Sequence, residues 1–196
     1  MIITLILLAI LATVTGMLVL AGLWRSLLMF FNVLVAASAA TAWYESLAGF
    51  ADRYLTSYTY LLDFLSMWLI FCAVLAVLRE VTDRLSRTKV EFPMLVERIG
   101  GGLMAFMTGW TIMAFTAASL HTAPVPRELI QPTPEARMFL GLSPDRKWLA
   151  WVRGGSQRGP FSRPAHAFDE KADFILRYAD RRLKLEKEEG LRVPAK

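Results

Sequence analysis

Four long apolar runs in the first 121 residues of this 196-residue chain constrain its fold more than any other feature. A helix rises about 1.5 Å per residue, so roughly 20 apolar residues cross a hydrocarbon core about 30 Å thick. Lipid offers the backbone no hydrogen bonds, so each spanning segment must be a helix. The predicted spans are residues 2–23, 27–47, 60–78 and 99–120. The sequence therefore predicts an all-α membrane protein with a four-helix transmembrane bundle and a C-terminal extramembrane tail.

The net charge of +5 belongs to this tail, residues 122–196. The tail holds fifteen basic and ten acidic residues, whereas residues 1–121 hold seven of each. A basic excess indicates nucleic-acid binding when it is clustered on one surface. Here both signs are mixed along the chain, so we expect no nucleic-acid partner. A solvated tail that is attracted to anionic headgroups makes membrane lipid the expected partner.

Basic residues in the short connectors predict the orientation of the bundle. The turn after the first span and the connector after the third span carry six of them, against only Arg53 after the second span. The six are Arg25, Arg79, Arg84, Arg87, Lys89 and Arg98. Basic connectors stay in the cytoplasm, and acidic residues contribute little to this rule. The N-terminus and the C-terminal tail are therefore predicted to lie outside the cytoplasm.

Asp63 is the candidate for a polar site within the membrane. A charged side chain at the centre of a spanning helix costs about 2.5–3.5 kcal/mol, so such residues often mark a transport path. Asp63 is the fourth residue of the third predicted span, where it can reach interfacial water and where the helix dipole favours a carboxylate. An interfacial residue is the preferred interpretation. A ligand for an ion or proton in an outer vestibule is the alternative.

Small residues recur every four positions in two of the spans. Gly101, Ala105 and Gly109 do so in the fourth span, and Ala36 and Ala40 do so in the second. Such stripes let helix backbones approach closely in lipid, where no hydrophobic driving force brings helices together. Packing within one four-helix subunit is the preferred interpretation. Self-association into a homo-oligomer, or contact with another membrane protein, is the alternative.

The spans show no pattern typical of catalysis. They contain no paired carboxylates, no nucleophile beside a base and no phosphate-binding loop. His121 and His166 are isolated and too few to indicate a metal site. We therefore predict a protein that is not an enzyme, with no catalytic residue, no metal and no cofactor.

The tail begins with a proline-rich linker, followed by a basic segment with two tryptophans. The linker prolines are Pro124, Pro126, Pro132 and Pro134, which favour an extended backbone that holds the rest of the tail away from the fourth span. Trp148 and Trp151 lie in a basic frame and are predicted to anchor the segment on the membrane surface. An apolar cluster closing on Phe139 and Leu142 is an equal alternative.

One amphipathic helix is predicted at about residues 168–189 of the tail. Apolar residues repeat there at helical spacing, and Asp169 and Glu170 favour its first turn. Gly190 offers a stop signal. The apolar stripe is narrow, so we expect a solvated helix docked on a partner or on the tail itself.

Two short motifs resemble those of a known family. The first is Gly22-Leu-Trp-Arg25-Ser after the first span, and the second is Glu97-Arg98-Ile-Gly100-Gly-Gly102 at the start of the fourth. They are similar to the Gly-x-x-Arg-Gly turn and the Asp-Arg-x-x-Gly motif of the colicin V production protein (CvpA) family of bacterial inner-membrane proteins. The resemblance covers about residues 1–121.

This resemblance implies a multi-pass protein of the bacterial inner (cytoplasmic) membrane that is linked to toxin production or export and to envelope homeostasis. The first functional hypothesis is a non-enzymatic accessory or scaffold protein. The alternative is a small channel or transporter formed by oligomerisation, because four spans with one marginal carboxylate do not easily enclose a path alone. Related membrane modules anchor extracytoplasmic domains, which fits a tail that faces outward.

Overall fold

The computed structural model describes residues 2–55, 59–86, 92–125, 130, 133, 136–158 and 168–187. These ranges contain helices and no strands, so the all-α fold class is confirmed for the described part of the chain. The helices are α1 (Ile2–Val19), α2 (Leu23–Asp52), α3 (Thr59–Leu85), α4 (Met94–Ser119), α5 (Pro144–Arg158) and α6 (Phe174–Lys187).

The first four helices are each long and apolar enough to cross a membrane. Two of them extend beyond the predicted spans: α2 starts at Leu23 and ends at Asp52, and α3 continues to Leu85. The predicted spans covered only the apolar runs, whereas the backbone hydrogen bonds of α2 and α3 continue into the polar residues that follow. An i,i+4 pair between Glu80 and Arg84, with 2.7 Å between Oε1 and Nε, supports the polar end of α3.

The main core lies between α2, α3 and α4, whereas α1 packs chiefly against α4. Aromatic rings fill this core, and Phe71 of α3 stacks on Phe115 of α4 with 4.8 Å between ring centroids. Among the described residues of α1, only Leu7 is buried. Ile3, Ile10 and Leu11 are partly buried against the apolar cluster that contains Leu7. Other apolar side chains of α1, such as Leu5, Leu8 and Met17, face the surroundings as in a peripheral helix in lipid.

The tail folds back onto the bundle. Helix α5 packs along α4 and also contacts α2, and its Trp148, Leu149 and Val152 belong to the core of the spans. The prediction that the linker holds the tail away from the fourth span is therefore wrong. Burial of the apolar face of α5 against the spans favours this return of the chain. Pro126, Pro132 and Pro134 lie outside the described residues.

A tight reversal over residues 138–143 turns the chain back toward α4. Phe139, Leu140, Gly141 and Ser143 all have positive φ angles. The reversal is closed by a backbone hydrogen bond of 3.1 Å from the Ser143 N–H to the Met138 carbonyl. Because Phe139 is buried edge-on to Trp110 of α4, with 6.4 Å between ring centroids, packing compensates for the unfavourable backbone.

The tail contains two described helices, where the sequence predicted one. The tryptophan segment forms α5, and the predicted helix at 168–189 begins later, at Phe174. The later start has a local cause: the Asp169 carboxylate accepts hydrogen bonds from the N–H groups of Asp173 and Phe174, at 2.9 and 3.0 Å, and so caps α6. Helix α6 is described to Lys187, and the predicted end at 189 lies outside the described residues.

Candidate functional site

The two ends of the bundle differ in their polar contacts. One end, here called the tail end, is formed by the end of α2, the start of α3 and the end of α4, and α6 lies against it. The other, here called the motif end, is formed by the α1–α2 turn, the end of α3 and the start of α4. The tail end carries most of the polar contacts between distant parts of the chain and is the candidate functional site.

Asp63 lies at the centre of the tail end. Its carboxylate pairs with the guanidinium of Arg181 and accepts a hydrogen bond of 3.1 Å from the hydroxyl of Tyr178, both on α6. The Asp63 side chain is only 13% exposed. A carboxylate so shielded from water needs such partners, because removing one of them leaves an uncompensated charge. The structure thus gives Asp63 the role of fastening α6 to α3.

Two tyrosine hydroxyls connect this carboxylate to a second one. The hydroxyls of Tyr178 and Tyr44 lie 3.0 Å apart, and that of Tyr44 lies 2.9 Å from Oε1 of Glu45. The two hydroxyl groups thus take part in three contacts, which form a hydrogen-bonded series that runs from Asp63 through Tyr178 and Tyr44 to Glu45. Burial and the negative charge of Asp63 raise the pKa of Tyr178, so its hydroxyl stays protonated and remains a donor.

Arg177 also belongs to this network, through an ion pair that is exposed to water. Its Nη1 lies 3.2 Å from Oε1 of Glu45, and the two side chains are 47% and 55% exposed. Exposed ion pairs contribute little to stability, about 0–1 kcal/mol. The Asp63 contacts therefore account for most of the electrostatic attachment of α6.

A cleft of about 710 Å³ opens beside the network. Its lining carries both signs of charge: Glu45, Asp52, Asp63, Asp173 and Asp180 with Arg177, Arg181 and Lys184. Such a surface suits a polar partner that carries charges of both signs. Among the described residues, no group of three or more His, Cys, Asp or Glu side chains is placed to hold a metal ion.

A buried His–Asp pair joins the end of α4 to the start of α5. His121 Nε2 lies 3.0 Å from Asp145 Oδ2, and the side chains are 0% and 1% exposed. Among the described residues, neither His121 Nδ1 nor Asp145 Oδ1 has a hydrogen-bond partner. The sequence interpretation treated His121 as isolated and missed this pair, because nothing local links two residues 24 positions apart.

Trp148 lies inside the molecule, which departs from its predicted role as a surface anchor. Its Nε1 donates a hydrogen bond of 3.1 Å to Thr41 Oγ1 of α2, and its ring meets Phe115 of α4 edge-on. The buried hydroxyl of Thr41 satisfies the indole N–H, so the whole ring can leave water. Trp151, three residues on, is 58% exposed and retains the anchor prediction.

The alternative cluster around Phe139 and Leu142 does not form with these tryptophans. Phe139 contacts Trp110, as described above, and Leu142 is exposed. The tryptophan that was expected at a surface is instead part of the interface between α5 and the spans.

The small-residue stripes are buried within the single chain. A Cβ on Gly109 would lie 2.6 Å from Thr15 Oγ1 and 3.1 Å from the Leu11 carbonyl of α1. Gly101, Ala105, Ala36 and Ala40 are likewise buried. These faces bring helices of one subunit together: Gly109 meets α1, and Gly101 meets the backbone of Gly22 and Leu23 at the start of α2.

The two family-like motifs meet at the motif end. Gly22 has a φ of 85°, and a Cβ there would lie 3.0 Å from Oε1 of Glu97. A Cβ on Gly100 would lie 3.0 Å from Cδ1 of Leu23, the residue after Gly22. Glycine is therefore favoured at position 22 by its backbone angle, which other residues rarely adopt. Arg25 and Arg98 are both exposed at this end.

These features define a helical multi-pass membrane protein whose C-terminal tail packs on one end of its bundle. The model of the colicin V production protein family matches residues 3–144, well over half of the chain. The chain belongs to this family, which confirms the resemblance found in the motifs. No curated protein and no solved structure matched significantly.

The family match reaches further than the motifs predicted. It passes residue 121, the predicted limit, and ends at the first residue of α5. Asp63, Glu45 and His121 thus lie within the matched region, whereas Asp145 and the α6 residues that contact the bundle lie beyond it.

Proposed function

We propose that this protein is a non-enzymatic accessory or scaffold protein of the bacterial inner membrane that acts in toxin production or export and in envelope homeostasis. Family membership supports a role in toxin production. The observation that carries the scaffold role is the attachment of α6 to α2 and α3 through Arg177, Tyr178 and Arg181. This attachment presents a cleft of mixed charge at a defined place on the bundle.

The proposed orientation puts the N-terminus and the tail outside the cytoplasm. Four exposed arginines support it by lying at the motif end, opposite the tail: Arg25, Arg79, Arg84 and Arg98. The exposed Arg53 lies at the tail end, after α2. Counted over the short connectors, as the positive-inside rule requires, this distribution agrees with the rule, which gives the long basic tail little weight. A C-terminal alkaline phosphatase fusion is expected to be active, and a C-terminal reporter that works only in the cytoplasm would overturn the orientation.

Photo-cross-linking in native membranes tests the scaffold role. A photoreactive amino acid at Asp180, on the edge of the cleft, is expected to capture one reproducible membrane or envelope protein. The same group at Arg84, which is exposed at the motif end, is the matched control and is expected to give a different pattern. Identical products from both positions, or none from Asp180, would contradict a partner at the cleft.

A small channel or transporter formed by oligomerisation is the second candidate. It is favoured by the position of Asp63 in the wall of the cleft at the start of a span. Ion flux in liposomes with purified protein separates the two functions. Both Asp63→Asn and Arg181→Gln break the same ion pair, but only the first removes the carboxylate. A flux that is lost in Asp63→Asn and kept in Arg181→Gln would therefore favour the channel and contradict the scaffold proposal.

A further inference from the structure

A second groove, of about 390 Å³, lies between α5 and α6. Apolar side chains line much of it, including Leu149 of α5 with Phe174 and Ile175 of α6. Arg146 and Arg153 of α5 also line it. These arginines are seven residues apart, so they lie on one face of α5, roughly 10 Å from each other along the axis. The groove thus combines two cations with an apolar surface.

Among the residues that line this groove, Asp169 is the one acidic residue, against two arginines. Its Oδ1 already accepts hydrogen bonds from the N–H groups of Asp173 and Phe174 as the cap of α6. Burial raises the pKa of Asp169, whereas these two hydrogen bonds lower it. With two guanidinium groups against one carboxyl group, the lining keeps an excess of positive charge and favours an anionic ligand.

The contacts of α5 and α6 place this groove at the depth of lipid headgroups. The opposite face of α5 is fixed by Trp148 to Thr41 and Phe115, toward the tail end of two spans. Helix α6 is fixed to Asp63 at the start of a third span. Trp151, also exposed on α5, is a residue type enriched at the membrane–water interface.

We propose that this groove binds one anionic phospholipid, with the phosphate between Arg146 and Arg153 and an acyl chain against Leu149 and Ile175. Guanidinium groups form strong, charge-assisted hydrogen bonds to phosphate oxygens. The apolar surface between the helices removes part of an acyl chain from water. The bound lipid then holds α5 and α6 together, and this role does not depend on the proposed function of the cleft.

Native mass spectrometry of the full-length protein in mild detergent tests this site. The probes are phosphatidylglycerol, phosphatidylcholine with the same acyl chains, inorganic phosphate and a short acidic peptide. We expect one phosphatidylglycerol to be retained per chain, with an affinity about tenfold or more above that of phosphatidylcholine, which corresponds to about 1.4 kcal/mol. Equal retention of the two lipids would overturn the proposal, as would equally tight binding of phosphate alone or of the peptide.

Two variants locate the site. Arg146→Gln with Arg153→Gln is expected to remove the preference for phosphatidylglycerol. Ala150→Phe is expected to block the groove while leaving both charges, and because Ala150 is exposed the larger ring does not enter the core. Retention of the preference in both variants, each checked for helical content by circular dichroism, would contradict the assignment.

A matched control removes the same charge elsewhere. Arg79 and Arg84 lie at the motif end and pair only with exposed carboxylates four residues away on α3 in the contacts described. Arg79→Gln with Arg84→Gln is expected to keep the lipid preference. A loss as large as that in the Arg146 and Arg153 variant would show that overall charge, and not the groove, selects the lipid.

Discussion

The tail end and the motif end of the bundle are held together by different interactions. At the tail end, Arg181 and Asp63 are 118 positions apart in sequence, and Arg177 and Glu45 are 132 apart. At the motif end, the ion pairs among the described residues are exposed i,i+4 pairs within α3, and the α1–α2 turn meets α4 through glycines. Two side-chain hydrogen bonds, from Trp24 to Ser86 and from Asn32 to Thr82, also join α2 to the end of α3. Charged side chains can exchange partners without moving a helix, whereas a close approach of backbones allows no added atoms. The tail end thus depends mainly on polar side chains that are distant in sequence, whereas close backbone packing dominates where the α1–α2 turn meets α4.

The largest expected effect comes from the buried pair that joins α4 to α5. Asp145→Ala leaves the buried His121 ring without its partner, and a buried polar group left unsatisfied costs about 1–3 kcal/mol, or more if it is charged. We expect a large fall in the thermal unfolding midpoint of the purified protein in detergent. The double variant His121→Leu with Asp145→Leu is the control, and it is expected to recover part of the loss because no polar group is left unpaired. Equal stability of the single variant and the parent would show that this pair does not fasten α5.

The close approach of α1 to α4 predicts a smaller but clear effect. Gly109→Val places atoms against Thr15 and the Leu11 carbonyl, so α1 must shift. Overpacking of this kind costs about 1–3 kcal/mol. Gly102→Ala is the matched control, because a Cβ at Gly102 would meet nothing within 4 Å. Unfolding midpoints of the two variants check the difference, and indistinguishable midpoints would refute the tight α1–α4 contact.

The smallest expected effect is a difference in the stability of α6 between variants of Arg181 and Arg177. Arg181→Gln leaves the shielded Asp63 without its cation, and a loss of about 1 kcal/mol raises opening of α6 roughly fivefold. Arg177→Gln removes the same charge from the same helix but breaks only an exposed pair, so we expect almost no change. Hydrogen exchange of the α6 amides measures both. Equal exchange in the two variants would remove the distinction between shielded and exposed contacts at this end.

The sequence predicted the spans well because each one is a local run of apolar residues. It placed helix ends less well, since polar ends such as Arg79–Leu85 remain helical beyond the lipid. It missed α5, because a mixture of charged residues, two tryptophans and the pair Gly154 and Gly155 hides the apolar face. The apolar residues of this face are few, and they stand out as one face of a helix only when their packing against α4 is known.

The candidate site was predicted only in part. Asp63 was chosen because a charged side chain within a span is unusual, and the structure places it in the polar network of the tail end. Its partner Arg181 was one of many charges on α6 without a distinguishing pattern. Likewise, Trp148 was recognised as an aromatic residue in a basic frame, but its burial depends on Thr41, 107 positions away.

By itself, the sequence determined that this chain enters a membrane as helices and that it carries the two family motifs, since apolar length and glycine spacing are local properties. Only the tertiary structure decided that the tail returns to the bundle, that Asp63 holds α6 and that two arginines flank an apolar groove. The physical reason is that ion pairs, buried hydrogen bonds and close packing depend on which surfaces meet in space, and distance along the chain does not specify that meeting.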